Sequence, residues 1–201
     1  MVVDPHWKSL HRGWHSRGYL PHFDMPGQVQ SLTFRLADSL SAHRLAELRQ
    51  QYPPEKQAKY LDAVEGELDS HAGRCWLRDP AIATLVENAL LHFDGQRYRL
   101  LCWVIMPNHV HCVIALLPGW PVESILHSWK SFTAKAANKL LGRTGQFWQE
   151  EYFDRAIRDV AHLEGVMAYI HYNPVKAGLC AKMEGWRWSS FGRSIDMSGI
   201  V

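Results

Sequence analysis

Met106-Pro107-Asn108-His109-Val110-His111-Cys112-Val113-Ile114 is the stretch from which the architecture reads most directly. A β-strand sends successive side chains to opposite faces. His109 and His111 therefore point the same way, while Val110, Cys112 and Ile114 point into the other layer. Two imidazoles on a rigid strand form a ready bidentate arrangement for one metal ion. A bare His-x-His pair is more often not a metal site, so the motif needs company. Histidine-triad nucleotide hydrolases would place a third histidine at 113, where this chain has Val113, which weakens that reading.

Outward from this strand the pattern alternates sheet and helix. A strand over Arg97–Ile105 precedes it, and Val110–Leu116 follows the Met106-Pro107-Asn108 break. Further upstream, Val29–Leu36 alternates, with Leu32, Phe34 and Leu36 on one face. A helix is predicted from Leu40, carrying Leu45 and Leu48 and stopped by Pro53-Pro54. A second, strongly charged helix spans Glu55 to about Leu68. His71–Asp79 is a connector, and Pro80–Phe93 is an amphipathic helix capped by Asp79 with proline in its first turn. Pro121–Leu141 reads as a helix with Ile125, Trp129, Phe132, Ala136 and Leu140 inward, Gln146–Phe153 as a strand, and Asp159–Tyr172 as a last helix. The class is α+β with an antiparallel sheet and packed helices, not a doubly wound βαβ fold. The segment His6–Phe23, rich in aromatic and basic residues, lacks a clean period and reads as an arm. Trp186-Arg187-Trp188-Ser189-Ser190 opens an irregular tail.

Composition narrows the function classes. The 201 residues are 47% hydrophobic, enough for one compact domain with a real core. No run of eighteen apolar residues exists, and the charged start is not a signal peptide, so a cytoplasmic protein with no membrane partner is expected. Cys75, Cys102, Cys112 and Cys180 form no CxxC pair and read as reduced thiols. A net charge of +2 does not prove nucleic-acid binding, so a local basic face has to be sought. Candidates for phosphate contact are Lys130, Lys135, Arg155, Arg158 and Lys176. Among nine tryptophans, Trp186 beside Arg187, with the arm residues Arg12 and Arg17, suits stacking on unpaired bases.

The second chemical segment is Ala168-Tyr169-Ile170-His171-Tyr172-Asn173-Pro174-Val175. Tyr169 and Asn173 stand four apart, so a helix stacks them on one face. Pro174 disfavours helix at Asn173 and places it at a fraying end. His171 and Tyr172 remain alternatives by spacing.

Taken together, Met106–His111, Phe147-Trp148-Gln149-Glu150-Glu151-Tyr152-Phe153-Asp154-Arg155 and Tyr169–Leu179 resemble the REP-associated tyrosine transposases of the single-tyrosine HUH superfamily. Arg17-Gly18-Tyr19-Leu20-Pro21-His22-Phe23 also looks like the start of such proteins, and the likeness runs over roughly residues 17 to 190. The resemblance implies a ferredoxin-like or RRM-like HUH endonuclease core. It divides the chain into an arm (1–27), a transposase-like domain (28–180) and a tail (181–201). His109 and His111 match the paired metal ligands, Tyr169 the nucleophile, and Asn173 the third polar ligand of a Mg²⁺ or Mn²⁺ ion. The implied activity is nicking and rejoining of single-stranded hairpin DNA through a 5′-phosphotyrosine, by a monomer or homodimer. His171 is a speculative base for Tyr169, and the charged stretch Glu55–Arg78 has no clear counterpart. A non-cutting hairpin binder would need no joint presence of the histidines and Tyr169, and a metal phosphohydrolase would not need Tyr169.

Overall fold

The computed structural model of the chain describes residues 13–16, 21–25 and 27–194; Arg12 and Arg17 of the arm lie outside them. In chain order the elements are β1 (Gly13–Ser16), β2 (Pro21–Asp24), β3 (Val29–Arg35), α1 (Ala42–Gln51), α2 (Gln57–Asp69), α3 (Pro80–His92), β4 (Tyr98–Ile105), β5 (His109–Leu116), α4 (Val122–Leu140), β6 (Phe153–Ala156) and α5 (Val160–Lys176). The expected α+β class with an antiparallel sheet is what forms. Four strands pair antiparallel in the order β4-β5-β3-β6. Strands β1 and β2 make a separate hairpin where the sequence read as an aperiodic arm.

The sheet separates two cores because side chains alternate across it. On one face Leu32, Phe34, Trp103, Ile105, Val110, Cys112 and Ile114 bury against α3 and α4. On the other, Leu101, Cys102, Val104, Val113 and Ala115 meet Leu163 and Ile170 of α5. A bulge between Leu100 and Cys102 turns Leu101 and Cys102 to this same side, widening the bed under α5. A third cluster joins α1 and α2 through Leu48, Tyr60, Val64 and Leu68.

Three expectations change. The inner face of α4 is Ile125, Trp129, Thr133 and Ala137, while Phe132 and Leu140 are 58% and 62% exposed. Thr133 tolerates burial because its hydroxyl donates to Trp129 O at 2.6 Å and accepts from Trp148 Nε1 at 2.8 Å. Those bonds hold the helix one residue off the apolar period. Residues 146–152 do not form the predicted strand; β6 begins only at Phe153. Phe147 and Trp148 are consecutive yet both enter the α3–α4 core, which strand alternation forbids. Finally, α5 runs through Pro174 to Lys176, because Asn173 and Pro174 are buried and Ala177 N caps Asn173 O at 2.9 Å.

The connector from α2 to α3 is fastened to the β4–β5 turn. Leu77 N donates to Pro107 O at 3.1 Å, and Asn108 Nδ2 donates to Leu68 O and Ala72 O at 3.2 and 3.0 Å. Gly73 sits at φ +86° within this loop, where a Cβ would stand 2.5 Å from Asp38 O. Gly73→Ala is expected to destabilise the protein by about 1–3 kcal/mol, since both strain and collision must be relieved. A thermal melt at an unchanged unfolding cooperativity checks this.

Candidate active site

Strand β5 is buried on both faces, so its two imidazoles cannot be solvated and must be hydrogen-bonded. His109 is 0% and His111 2% exposed. His109 Nδ1 lies 2.7 Å from Asn108 Oδ1, and His111 Nδ1 lies 2.7 Å from Thr33 Oγ1 on β3. An amide oxygen only accepts, so His109 carries its proton on Nδ1 and leaves Nε2 as a lone pair. Thr33 permits the same tautomer at His111. The two Nε2 atoms converge to 3.0 Å. That is the spacing of two ligands set at right angles around one ion at about 2.1 Å each.

Burial drives both imidazoles toward neutrality. His111 is lowered to about 4, first by desolvation, and His109 well below the usual 6.5 by desolvation and then by neighbouring His111. Neutral imidazole is the metal-binding form.

Helix α5 lies over this pair. The rings of Tyr169 and His111 meet edge-on with centroids 5.9 Å apart. One turn on, Asn173 is completely buried, and neither Oδ1 nor Nδ2 has a hydrogen-bond partner. An amide so deeply buried and unpaired is costly, and an ion bound by the histidines would supply its partner. Among the described residues no three His, Cys, Asp or Glu side chains gather around one point, so the donor set is two imidazoles completed by an amide. The residues fit a divalent cation with open positions.

Tyr169 itself is a neutral phenol, raised above its ordinary range first by burial and then by the carboxylate of Glu65. Its hydroxyl donates to Glu65 Oε2 at 2.9 Å. The Asn173 amide favours the phenolate slightly, short of a formed hydrogen bond. Lys176, one turn beyond Tyr169's neighbour, reaches Asp69 at 2.8 Å and stands 5.5 Å from the Tyr169 ring. A cavity of about 410 Å³ opens beside Tyr169 and His111 and is bordered by Glu65, Arg155 and Arg158.

Of the basic residues singled out in the sequence, Arg155, Arg158 and Lys176 therefore come together with Tyr169. Lys130 and Lys135 do not: they lie on α4, beyond the opposite face of the sheet, where Lys130 Nζ donates to Glu150 O. Trp186 donates its indole N–H to Ile105 O at 2.9 Å and packs on the α5 core, while Arg187 lies exposed over Trp188. His171 points away from Tyr169, bound to Ser190 Oγ at 2.8 Å and near Cys102 Sγ at 3.4 Å. It anchors the chain after α5 instead of serving the tyrosine.

Four residues escaped the sequence reading: Thr33, Asn108, Glu65 and Asp69. The last two had a signal, since like charges four apart on one helix repel and imply an outside partner.

A family model described as transposase IS200 like matches residues 82–173, a span that holds His109, His111, Tyr169 and Asn173. A REP-associated tyrosine transposase of Escherichia coli (strain K12) is 28% identical over 116 residues, covering 55% of this chain and 66% of that protein. A putative REP-associated tyrosine transposase of Haemophilus influenzae is 29% identical over 101 residues, covering 45% of this chain and 57% of that protein. The matched parts thus span less than two thirds of either curated relative. A solved REP-associated tyrosine transposase, bound to a REP hairpin, superposes with a TM-score of 0.55 at 21% identity, over 86% of this chain and 81% of that one. The shared fold and the matches bear out the resemblance to REP-associated tyrosine transposases.

The neutral histidines have a consequence for stability. Unfolded, they titrate near 6.5; folded, His111 does so only at about 4. Stability is full above 6.5 and falls as the pH drops toward about 4, because the unfolded chain takes up protons first. Denaturant melts of metal-free protein across that window are expected to show the decline, and replacing both histidines with glutamine is expected to flatten it.

Proposed function

We propose that this chain is a metal-dependent single-strand DNA endonuclease and strand transferase that nicks and rejoins hairpin DNA through a 5′-phosphotyrosine. One observation carries the reading: a half-buried tyrosine, two converging neutral Nε2 atoms and an unpartnered buried amide share one side of the sheet. A structural role for each alone is common; their occurrence together on one side supports the reading. The solved relative bound to a REP hairpin supports hairpin DNA as the partner.

In this reading His109, His111 and Asn173 would hold one Mg²⁺ or Mn²⁺ ion, which would supply phosphate-charge neutralisation and polarisation of a nonbridging oxygen. All three side chains are neutral, so they would leave the charge of a bound cation undiminished. Arg155 and Arg158 border the cavity and grip the phosphates flanking the scissile bond. Lys176 adds positive charge beside the nucleophile. Tyr169 attacks phosphorus, leaving a phosphotyrosine on the 5′ side and a free 3′ hydroxyl. The covalent link conserves the bond energy, so rejoining needs no ATP. Lys130, Lys135, Trp186 and Arg187, with Arg12 and Arg17 outside the described residues, are the further hairpin contacts.

The test uses labelled single-stranded hairpins from repeats beside the gene, with Mg²⁺ or Mn²⁺, resolved on denaturing gels. The expected product is protein linked to the 5′ end of the fragment, dependent on metal and absent in Tyr169→Phe. Cleavage that survives Tyr169→Phe would move the chemistry to a phosphohydrolase. Tight binding without cutting under either metal would leave a hairpin-binding protein. Asn108→Ala removes the acceptor orienting His109 and is expected to raise the Mn²⁺ concentration needed for half-maximal cleavage about 10–100-fold.

A further inference from the structure

Helix α2 belongs to the charged stretch that the fold does not require for its sheet, yet it reaches the nucleophile. Its buried stripe of Tyr60, Val64 and Leu68 packs on α1, and the adjoining positions 65 and 69 turn toward α5. Glu65 is only half exposed to solvent, borders the cavity beside Tyr169, and accepts the hydrogen bond of the Tyr169 hydroxyl at 2.9 Å. Lys176 bridges Asp69 on the same helix to the region of the Tyr169 ring, so α2 and α5 are tied together at this end. His171 is spent on Ser190 and the two histidine Nε2 atoms face each other, which leaves Glu65 Oε2 as the acceptor that the Tyr169 hydroxyl meets.

Resting on the nuclease reading above, we propose that Glu65 is the general base for Tyr169. As the hydroxyl attacks, its O–H bond breaks and a proton passes to Glu65 Oε2. The freed electron pair forms the Tyr169 Oη–phosphorus bond, the bond from phosphorus to the 3′ oxygen breaks, and that oxygen leaves with its pair and takes a proton from water. On rejoining, the incoming 3′ hydroxyl gives its proton back to solvent as its oxygen bonds phosphorus, the Tyr169 Oη–phosphorus bond breaks, and the Glu65 carboxylic acid returns its proton to the departing phenolate. Net charge on the Glu65–Tyr169 pair is the same before and after transfer, so a buried site can accommodate it. An acid–base partner of this kind is worth about 10²- to 10⁴-fold in rate.

Glu65→Gln keeps shape and hydrogen bonding while removing the basic oxygen. Single-turnover cleavage is expected to slow by about a hundredfold or more, with hairpin affinity and melting temperature unchanged. Installing 2,3,5-trifluorotyrosine at 169, which ionises far more readily, is expected to recover most of the Glu65→Gln loss. A residue that merely holds the helix in place would show no such recovery. Equal or faster cleavage by Glu65→Gln overturns the proposal, faster cleavage marking Glu65 as a latch on the tyrosine; so does a loss that trifluorotyrosine leaves untouched. If Glu65→Gln does not fold, Glu65→Asp carries the same comparison, its shortened carboxylate giving an intermediate rate that trifluorotyrosine raises. Should wild-type protein form no phosphotyrosine at all, the nuclease reading itself falls, an outcome distinct from wild type cutting normally beside an unimpaired Glu65→Gln.

Discussion

The structure turns on the cost of burying two imidazoles in a strand covered on both faces. His109 and His111 are 0% and 2% exposed, so their ring nitrogens depend on protein partners or an ion. Asn108 and Thr33 take the Nδ1 side, which aims both Nε2 atoms at one point. Everything around the site follows from keeping those two acceptors in place. Asn108 is itself held by carbonyls at the end of α2, and Thr33 by the β3–β5 pairing. A rigid, converging pair of lone pairs is preorganised for a cation.

The sheet divides labour between its faces. The α3–α4 side carries the larger apolar core, including the stacked and edge-on contacts of Phe34, Trp129 and Trp148. The α5 side is smaller, and its apolar contacts give way to Tyr169 and Asn173 at the end nearest the histidines. Polar groups are tolerated there because the opposite face already supplies the stability. The segment after α5 closes the open edge of β4: Ile105 N bonds Trp188 O, and Ser190 N bonds Trp103 O. Covering that edge removes a row of unpaired backbone groups that would otherwise invite pairing with another chain.

Helix α2 changes the electrostatics around Tyr169. A phenol beside a carboxylate resists ionisation, which keeps Tyr169 protonated. Arg155 and Arg158 border the cavity beside it, and Lys176 stands 5.5 Å from its ring, so positive charge flanks the same hydroxyl from the other side.

What the sequence determined by itself was everything carried by short-range periodicity. The alternation of His109 to Ile114 placed two histidines on one face, and the spacing of Tyr169 and Asn173 placed both on one side of α5; each depends only on backbone geometry. The positions of strands β3, β4 and β5 and helix α3 were legible for the same reason. Only the tertiary structure decided which face of α4 turns inward: Thr133 is buried with its hydroxyl accepting from Trp148 Nε1, while Phe132 stays exposed. It also carried α5 through Pro174, since burial of Asn173 overrides a local preference. The meeting of Glu65 with Tyr169, 104 residues apart in the chain, has no trace in local spacing. Contacts of that kind are set by how helices dock across a sheet, a property of the whole packed core that no window of sequence contains.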